Sequence, residues 1–289
     1  MNARGKLLII GGAEDRIDKD KKESTENTNQ PERFTILKAL LPASHQDRYI
    51  EVITTASAEP EEMEIMYKET FHKIGYTNVG FLGIKDKSDA TDEGICKRLK
   101  DAAAVFFTGG DQYMLSNIFS GTRSCEIIKE RYQHDAGFIV AGTSAGAMAM
   151  SHTMICGGGL GETDLNAELR TASGLGLLQN CIIDTHFVER GRFSRLAHAV
   201  TVNPTKLGIG LGEDTALMIQ NGSAAVCLGS GMVVIIDGTA VDQPANDQHI
   251  IYEADGKNPA YVGNLKVHML TENCMIDLYT HKLKTRLRH

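Results

Sequence analysis

The sequence predicts an α/β fold: a mostly parallel sheet with helices on both faces, followed by an antiparallel β extension. Three observations carry this. Apolar runs alternate with amphipathic stretches through the first two thirds of the chain, several apolar runs end in polar or glycine-rich turns, and from about Leu207 the runs become short and broken by glycine. Strand, helix and strand in repetition imply parallel neighbours, because a parallel pair needs a crossover connection. In such sheets ligands gather at the carboxyl ends of the strands.

Strands are expected at 6–11, 49–55, 78–84, 103–108, 137–142 and 181–186, with helical patterns near 32–42, 60–74, 89–101, 122–134, 145–152 and 191–201. The first strand, Lys6-Leu-Leu-Ile-Ile-Gly-Gly12, is a continuous apolar run, as expected of a strand covered on both faces. The stretch 14–31 is polar throughout and reads as a surface loop, with Pro31 opening the next helix. Beyond Leu207, Asn221-Gly222 and Asp237-Gly238 read as hairpin turns of an antiparallel meander on the same core. No linker interrupts the pattern, so one domain over 1–289 is expected, with its core at 6–219 and the β-rich extension at 220–289.

Composition narrows the class. The 289 residues are 42% hydrophobic and 23% charged, enough to bury a substantial core. A net charge of −7 without long like-charge blocks argues against a nucleic-acid or anionic membrane surface. The six cysteines are scattered with no C-x-x-C pair and no histidine cluster at zinc-ligand spacing, so neither a metal nor another cofactor is expected. Free thiols, no apolar run approaching ~18 residues and no room for a signal peptide before Lys6 together predict a cytoplasmic protein.

The chemistry concentrates at Phe138-Ile-Val-Ala-Gly-Thr-Ser-Ala-Gly-Ala147. An apolar strand meets Gly142-Thr-Ser-Ala-Gly146 and a small-residue helical start follows, the context of a nucleophile elbow with Ser144 at its tip. A serine nucleophile needs a base, and the base needs an orienting acid. His186 ends the apolar run Cys181-Ile-Ile-Asp-Thr185 and is placed at a strand's carboxyl edge; His152 lies too close after the serine to return to it. For the acid, Glu162 follows the glycine-rich Cys156-Gly-Gly-Gly-Leu-Gly161, with Asp164 and Glu168 as competitors.

These segments resemble a known family, the serine peptidases that include cyanophycinase and the aspartyl dipeptidases. The resemblance rests on Gly11-Gly-Ala-Glu-Asp15, Thr108-Gly-Gly-Asp-Gln112, Gly142-Thr-Ser-Ala-Gly-Ala147, Asp184-Thr-His-Phe-Val-Glu-Arg-Gly-Arg-Phe-Ser-Arg-Leu196 and Gly208-Ile-Gly-Leu-Gly-Glu-Asp-Thr-Ala216. It implies a flavodoxin-like sheet of the kind seen in class I glutamine amidotransferases, a homodimer, and a triad of Ser144, Glu162 and His186. It further implies Gly110 and Ala145 as backbone oxyanion donors and Gln112 as a substrate-positioning residue.

Arg190, Arg192 and Arg195 follow His186 at the start of a helix, where guanidinium forks can bind carboxylates in pairs. Within the family they point to cyanophycin, a polyaspartate backbone bearing arginine on each β-carboxyl, with Asp184 set to hold a substrate guanidinium. Thr185 stands in the pocket where the family pattern usually has glutamine. The sequence thus predicts a metal-independent serine exopeptidase that releases β-aspartyl-arginine through an acyl-enzyme. A dipeptidase acting on β-aspartyl peptides is the nearest alternative; a non-enzymatic binding protein on the same fold is opposed by the intact Ser, Glu and His, and an amidotransferase by a serine where that chemistry uses cysteine.

Overall fold

A computed structural model describes residues 3–14, 34–41, 48–157, 169–241 and 264–284. In chain order the elements are β1 Lys6–Ile10, α1 Thr35–Lys38, β2 Ile50–Ile53, α2 Pro60–Lys73, β3 Val79–Leu82, α3 Glu93–Asp101, β4 Ala104–Phe107, α4 Gln112–Phe119, α5 Arg123–His134, β5 Ile139–Thr143 and α6 Ala145–Met148. There follow β6 Thr153–Gly157, β7 Arg170–Ser173, β8 Cys181–Thr185, α7 Phe193–Thr201, β9 Leu207–Leu211, β10 Thr215–Gln220, β11 Ala224–Gly229, β12 Val233–Asp237, β13 Lys266–Leu270, β14 Met275–Asp277 and β15 Lys282–Lys284.

The main sheet runs β15-β14-β11-β10-β1-β5-β4-β2-β3. From β1 to β3 the strands are parallel; from β10 outward they are antiparallel. The fold is therefore α/β with a large mixed sheet, and the expected antiparallel extension adds to its edge. Side-chain alternation along the central strands feeds two cores: Leu7, Ile9, Val105, Phe107 and Val140 face α3 and α5, whereas Leu8, Ile10, Ala104, Phe106 and Ala141 face α1 and α2. On the α2 side, the Tyr67 ring meets Phe106 edge-on at 4.9 Å.

Helix ends follow from local chemistry. Pro60 opens α2, with Glu61 and Glu62 in its first turn and His72 and Lys73 in its last, matching the helix dipole at both ends. Asp111 accepts hydrogen bonds from the N–H groups of Tyr113 and Met114 and so starts α4, a helix that the periodicity did not predict.

Two expectations are corrected. The strand at 181–186, predicted within the parallel sheet, becomes β8 of a second sheet, β13-β12-β9-β8, and the meander after Leu207 divides between the two sheets while packing on the same core. The reason is local: the chain leaves β9 at Leu211, turns through Gly212–Asp214 and re-enters the main sheet at Thr215 as β10. Asn221-Gly222 does form the β10–β11 hairpin, both residues having positive φ, as the twist-matched turn requires. Asp237-Gly238 ends β12, but the strand that pairs back on it begins only at Lys266, so no two-residue hairpin forms there.

Candidate active site

The first and fifth strands pair in parallel with Ile10 opposite Thr143, and β8 pairs with β9 with Thr185 opposite Leu211. The next residues, Ser144, His186 and the Gly212–Asp214 turn, therefore leave their strands at neighbouring carboxyl edges. Backbone hydrogen bonds from the segment after β1 join them: Ser144 N–H donates to Ile10 O (3.0 Å), His186 N–H to Gly11 O (2.9 Å) and Asp214 N–H to Gly12 O (3.0 Å).

Ser144 occupies φ 51°, ψ −116°, a conformation that costs a non-glycine residue about 1–3 kcal/mol. Its flanking glycines permit the bend. A Cβ on Gly142 would lie 2.6 Å from the Gly146 carbonyl carbon, and one on Gly146 would lie 2.4 Å from the Phe107 carbonyl oxygen. The G-x-S-x-G spacing is thus a packing requirement of strand, turn and helix.

Ser144 Oγ lies 3.0 Å from His186 Nε2, and His186 Nδ1 lies 2.6 Å from Glu213 Oε1. A carboxylate only accepts, so Nδ1 carries the ring proton and Nε2 is left to accept from the serine hydroxyl. His186 itself has φ 48°, and Gly12 admits its ring: a Cβ there would lie 2.3 Å from His186 Cε1. The arrangement can deprotonate Ser144 as its oxygen attacks a carbonyl and can stabilise the imidazolium that results.

Glu162, expected as the acid, lies outside the described residues, as do its competitors Asp164 and Glu168. The orienting position on Nδ1 is held by Glu213, which sequence reasoning missed. A signal was present: Glu213 lies two residues past the apolar run Leu207–Leu211, within a segment that carried the family resemblance, at a strand's carboxyl end.

The other predicted residues divide into two groups. The turn holding Gly110 borders Ser144, since a Cβ on neighbouring Gly109 would lie 3.4 Å from Ser144 Cβ; Gly110 has φ 139°, and Ala145 is the buried first residue of α6. Gln112 donates from Nε2 to Ile155 O (2.9 Å), tying α4 to β6. Asp184 and Thr185, by contrast, are fully buried. Asp184 is held by Arg195, with Nε to Oδ2 at 2.9 Å and Nη2 to Oδ1 at 2.5 Å, and by Arg192 Nη1 at 3.4 Å.

The expectation that Asp184, Arg192 and Arg195 line an open cleft is therefore corrected. A buried carboxylate needs cationic partners, and these two guanidinium groups turn inward to supply them. Arg190 remains exposed. A cavity of about 800 Å³ lined by Ala3, Lys129, Tyr132, Cys181 and Asp277 lies at the amino ends of β1 and β8, the edge opposite Ser144, and none of the predicted site residues borders it. Among the described residues, no group of three His, Cys, Asp or Glu side chains is arranged to hold a metal ion.

The profile of peptidase family S51 matches residues 23–227. The chain belongs to this family. It is similar to the cyanophycinase of Trichormus variabilis, with 35% identity over 274 residues, 94% of this chain and 85% of that one. It is also similar to the cyanophycinase of Synechococcus elongatus, with 32% identity over 281 residues, 97% of this chain and 81% of that one. Among solved structures, a peptidase from an acI-B1 Actinobacterium superposes with a TM-score of 0.66 at 22% identity, over 94% of this chain and 96% of that one, which shows a shared fold. S51 membership identifies the chain as a hydrolase of the serine peptidase class. No helix among the described residues is long and apolar enough to cross a membrane.

Proposed function

We propose that this peptidase cleaves the aspartyl backbone of cyanophycin and releases β-aspartyl-arginine through an acyl-enzyme on Ser144. The observation that carries the proposal is the relay Ser144 Oγ to His186 Nε2 to Glu213, at 3.0 and 2.6 Å, in a chain whose curated relatives bear the name cyanophycinase.

In this reading Ser144 Oγ attacks the backbone carbonyl while its proton passes to His186 Nε2, and Glu213 stabilises the imidazolium through Nδ1–H. The N–H groups of Gly110 and Ala145 receive the developing oxyanion. Collapse breaks the C–N bond, the leaving amine takes the proton from Nε2, and water then opens the ester by the same route in reverse. Gln112 fixes the floor of the site through Ile155 O, and exposed Arg190 reads a substrate carboxylate.

A dipeptidase acting on short β-aspartyl peptides is the second reading. It is favoured by the engagement of Arg192 and Arg195 with Asp184, which removes two carboxylate readers from the cleft. Mass analysis of the products formed from purified polymer separates the two. Turnover of β-aspartyl peptides without release of β-aspartyl-arginine from polymer would establish the dipeptidase. The family resemblance adds a homodimer, and the thiols and apolar pattern of the sequence a cytoplasmic location, which sedimentation in solution and cell fractionation check.

A further inference from the structure

Glu14 lies two residues past Ile10–Gly12, the stretch whose carbonyls accept from Ser144, His186 and Asp214, and it is buried, with 3% exposed. The triad relay does not include it. Oε1 accepts a hydrogen bond from Tyr67 Oη at 2.6 Å, and Oε2 accepts one from Thr143 Oγ1 at 2.5 Å. Among the described residues both of its partners are neutral hydroxyls. Burying a carboxylate without a cation is costly, so its retention at this place calls for a reason.

The location supplies one. Thr143 is the last residue of β5 and is bonded directly to Ser144, whose backbone stands at φ 51° and must be held there by its surroundings. Backbone bonds fix one side of the bend, through Ser144 N–H to Ile10 O and Met148 N–H to Ser144 O. Glu14 fixes the other side, clasping the Thr143 hydroxyl. Tyr67, on the buried face of α2 and packed edge-on against Phe106, holds the carboxylate's second oxygen.

We propose that Glu14 is a positioning residue for the nucleophile: its carboxylate, anchored by Tyr67, holds Thr143 so that Ser144 Oγ stays within reach of His186 Nε2. The proposal rests on the reading of Ser144 as nucleophile. A misplacement of about 1 Å at a reacting atom can lower a rate by about 100-fold, so a clasp one residue away has leverage on catalysis without touching substrate.

The test is the reaction of the full-length protein with an alkyl fluorophosphonate, in which Ser144 Oγ forms a bond to phosphorus, fluoride leaves and the proton passes to His186. The time course gives two separate quantities: the final stoichiometry counts correctly folded sites, and the rate constant reports how each site is positioned. Glu14→Gln and the isosteric Thr143→Val are expected to lower the rate constant by at least about tenfold while final labelling stays near one group per chain. Tyr67→Phe should lower it less, and Thr143→Ser, which keeps the hydroxyl, should recover most of the rate. Reduced stoichiometry with an unchanged rate constant would show a purely structural role and overturn the proposal, as would unchanged rates in Thr143→Val, which tests the clasp even if Glu14→Gln does not fold. Labelling of wild type that persists in Ser144→Ala would instead overturn the nucleophile assignment.

Discussion

Arg195 grips both carboxylate oxygens of the fully buried Asp184, Nε to Oδ2 at 2.9 Å and Nη2 to Oδ1 at 2.5 Å. The pair joins the end of β8 to the first turn of α7, two residues before His186. Such a fork is worth less in stability than its geometry suggests, because both charges leave water; its main effect appears when one partner is removed. Arg195→Met should therefore destabilise the protein by about 3–5 kcal/mol, leaving Asp184 with the Arg192 guanidinium at 3.4 Å and the Thr185 N–H at 2.9 Å, whereas the double variant with Asp184→Leu should recover part of that loss. Chemical denaturation of the four proteins of the cycle checks this. Equal stability of wild type and Arg195→Met would place Arg195 at the surface, as the sequence suggested.

The elbow glycines give a second prediction. Gly146→Ala places a methyl 2.4 Å from the Phe107 carbonyl oxygen, a backbone atom that cannot step aside cheaply. Activity should fall at least about 100-fold with a lowered melting temperature, because relief of the clash must shift either α6 or β4 and carries Ser144 with it. The measurement is kcat/KM beside thermal unfolding. Near-normal activity would mean that the turn has room the structure does not show.

The identity of the orienting acid can be decided by two substitutions. Glu213→Gln presents an amide to Nδ1 and favours the wrong imidazole tautomer, so kcat should fall by about 10⁴-fold with little change in folding. The same change at Glu162 should leave kcat within about threefold of wild type. His186→Ala, added to Ser144→Ala, should be hardly worse than either alone, since members of one relay act as a unit. A crippled Glu162→Gln beside an active Glu213→Gln would reverse the assignment.

A fourth prediction concerns pH. Burial pushes the Asp237 carboxyl up, but hydrogen bonds from the Thr239 N–H and Oγ1–H, together with His281 Nδ1 at 2.9 Å, outweigh it and hold the group below the ordinary aspartate value of 3.8. Because the folded form is the more acidic, Asp237 contributes stability that is fully present above the unfolded value and is lost as pH falls through the lower, folded one. The difference in unfolding free energy between wild type and Asp237→Asn should thus be constant above pH ~5 and shrink below pH ~4. A difference that grows on acidification would reverse the sign and reject the argument.

The sequence by itself determined what is local. Continuous apolar runs marked the central strands, the glycines around Ser144 announced the bend that they alone allow, and the polar ends of the runs located the chemistry at one edge of the sheet. Ser144 and His186 were legible because each terminates its own strand, so neighbouring residues suffice to place it. Tertiary structure alone decided what depends on where distant strands lie. Glu213 reaches His186 because β8 and β9 pair in parallel within a second sheet, an arrangement no residue near Glu213 encodes. Asp184, Arg192 and Arg195 look like cleft residues in sequence, yet burial turns them toward one another. A charged side chain's role follows from the dielectric around it, and that is fixed only when the remote parts of the chain have packed against it.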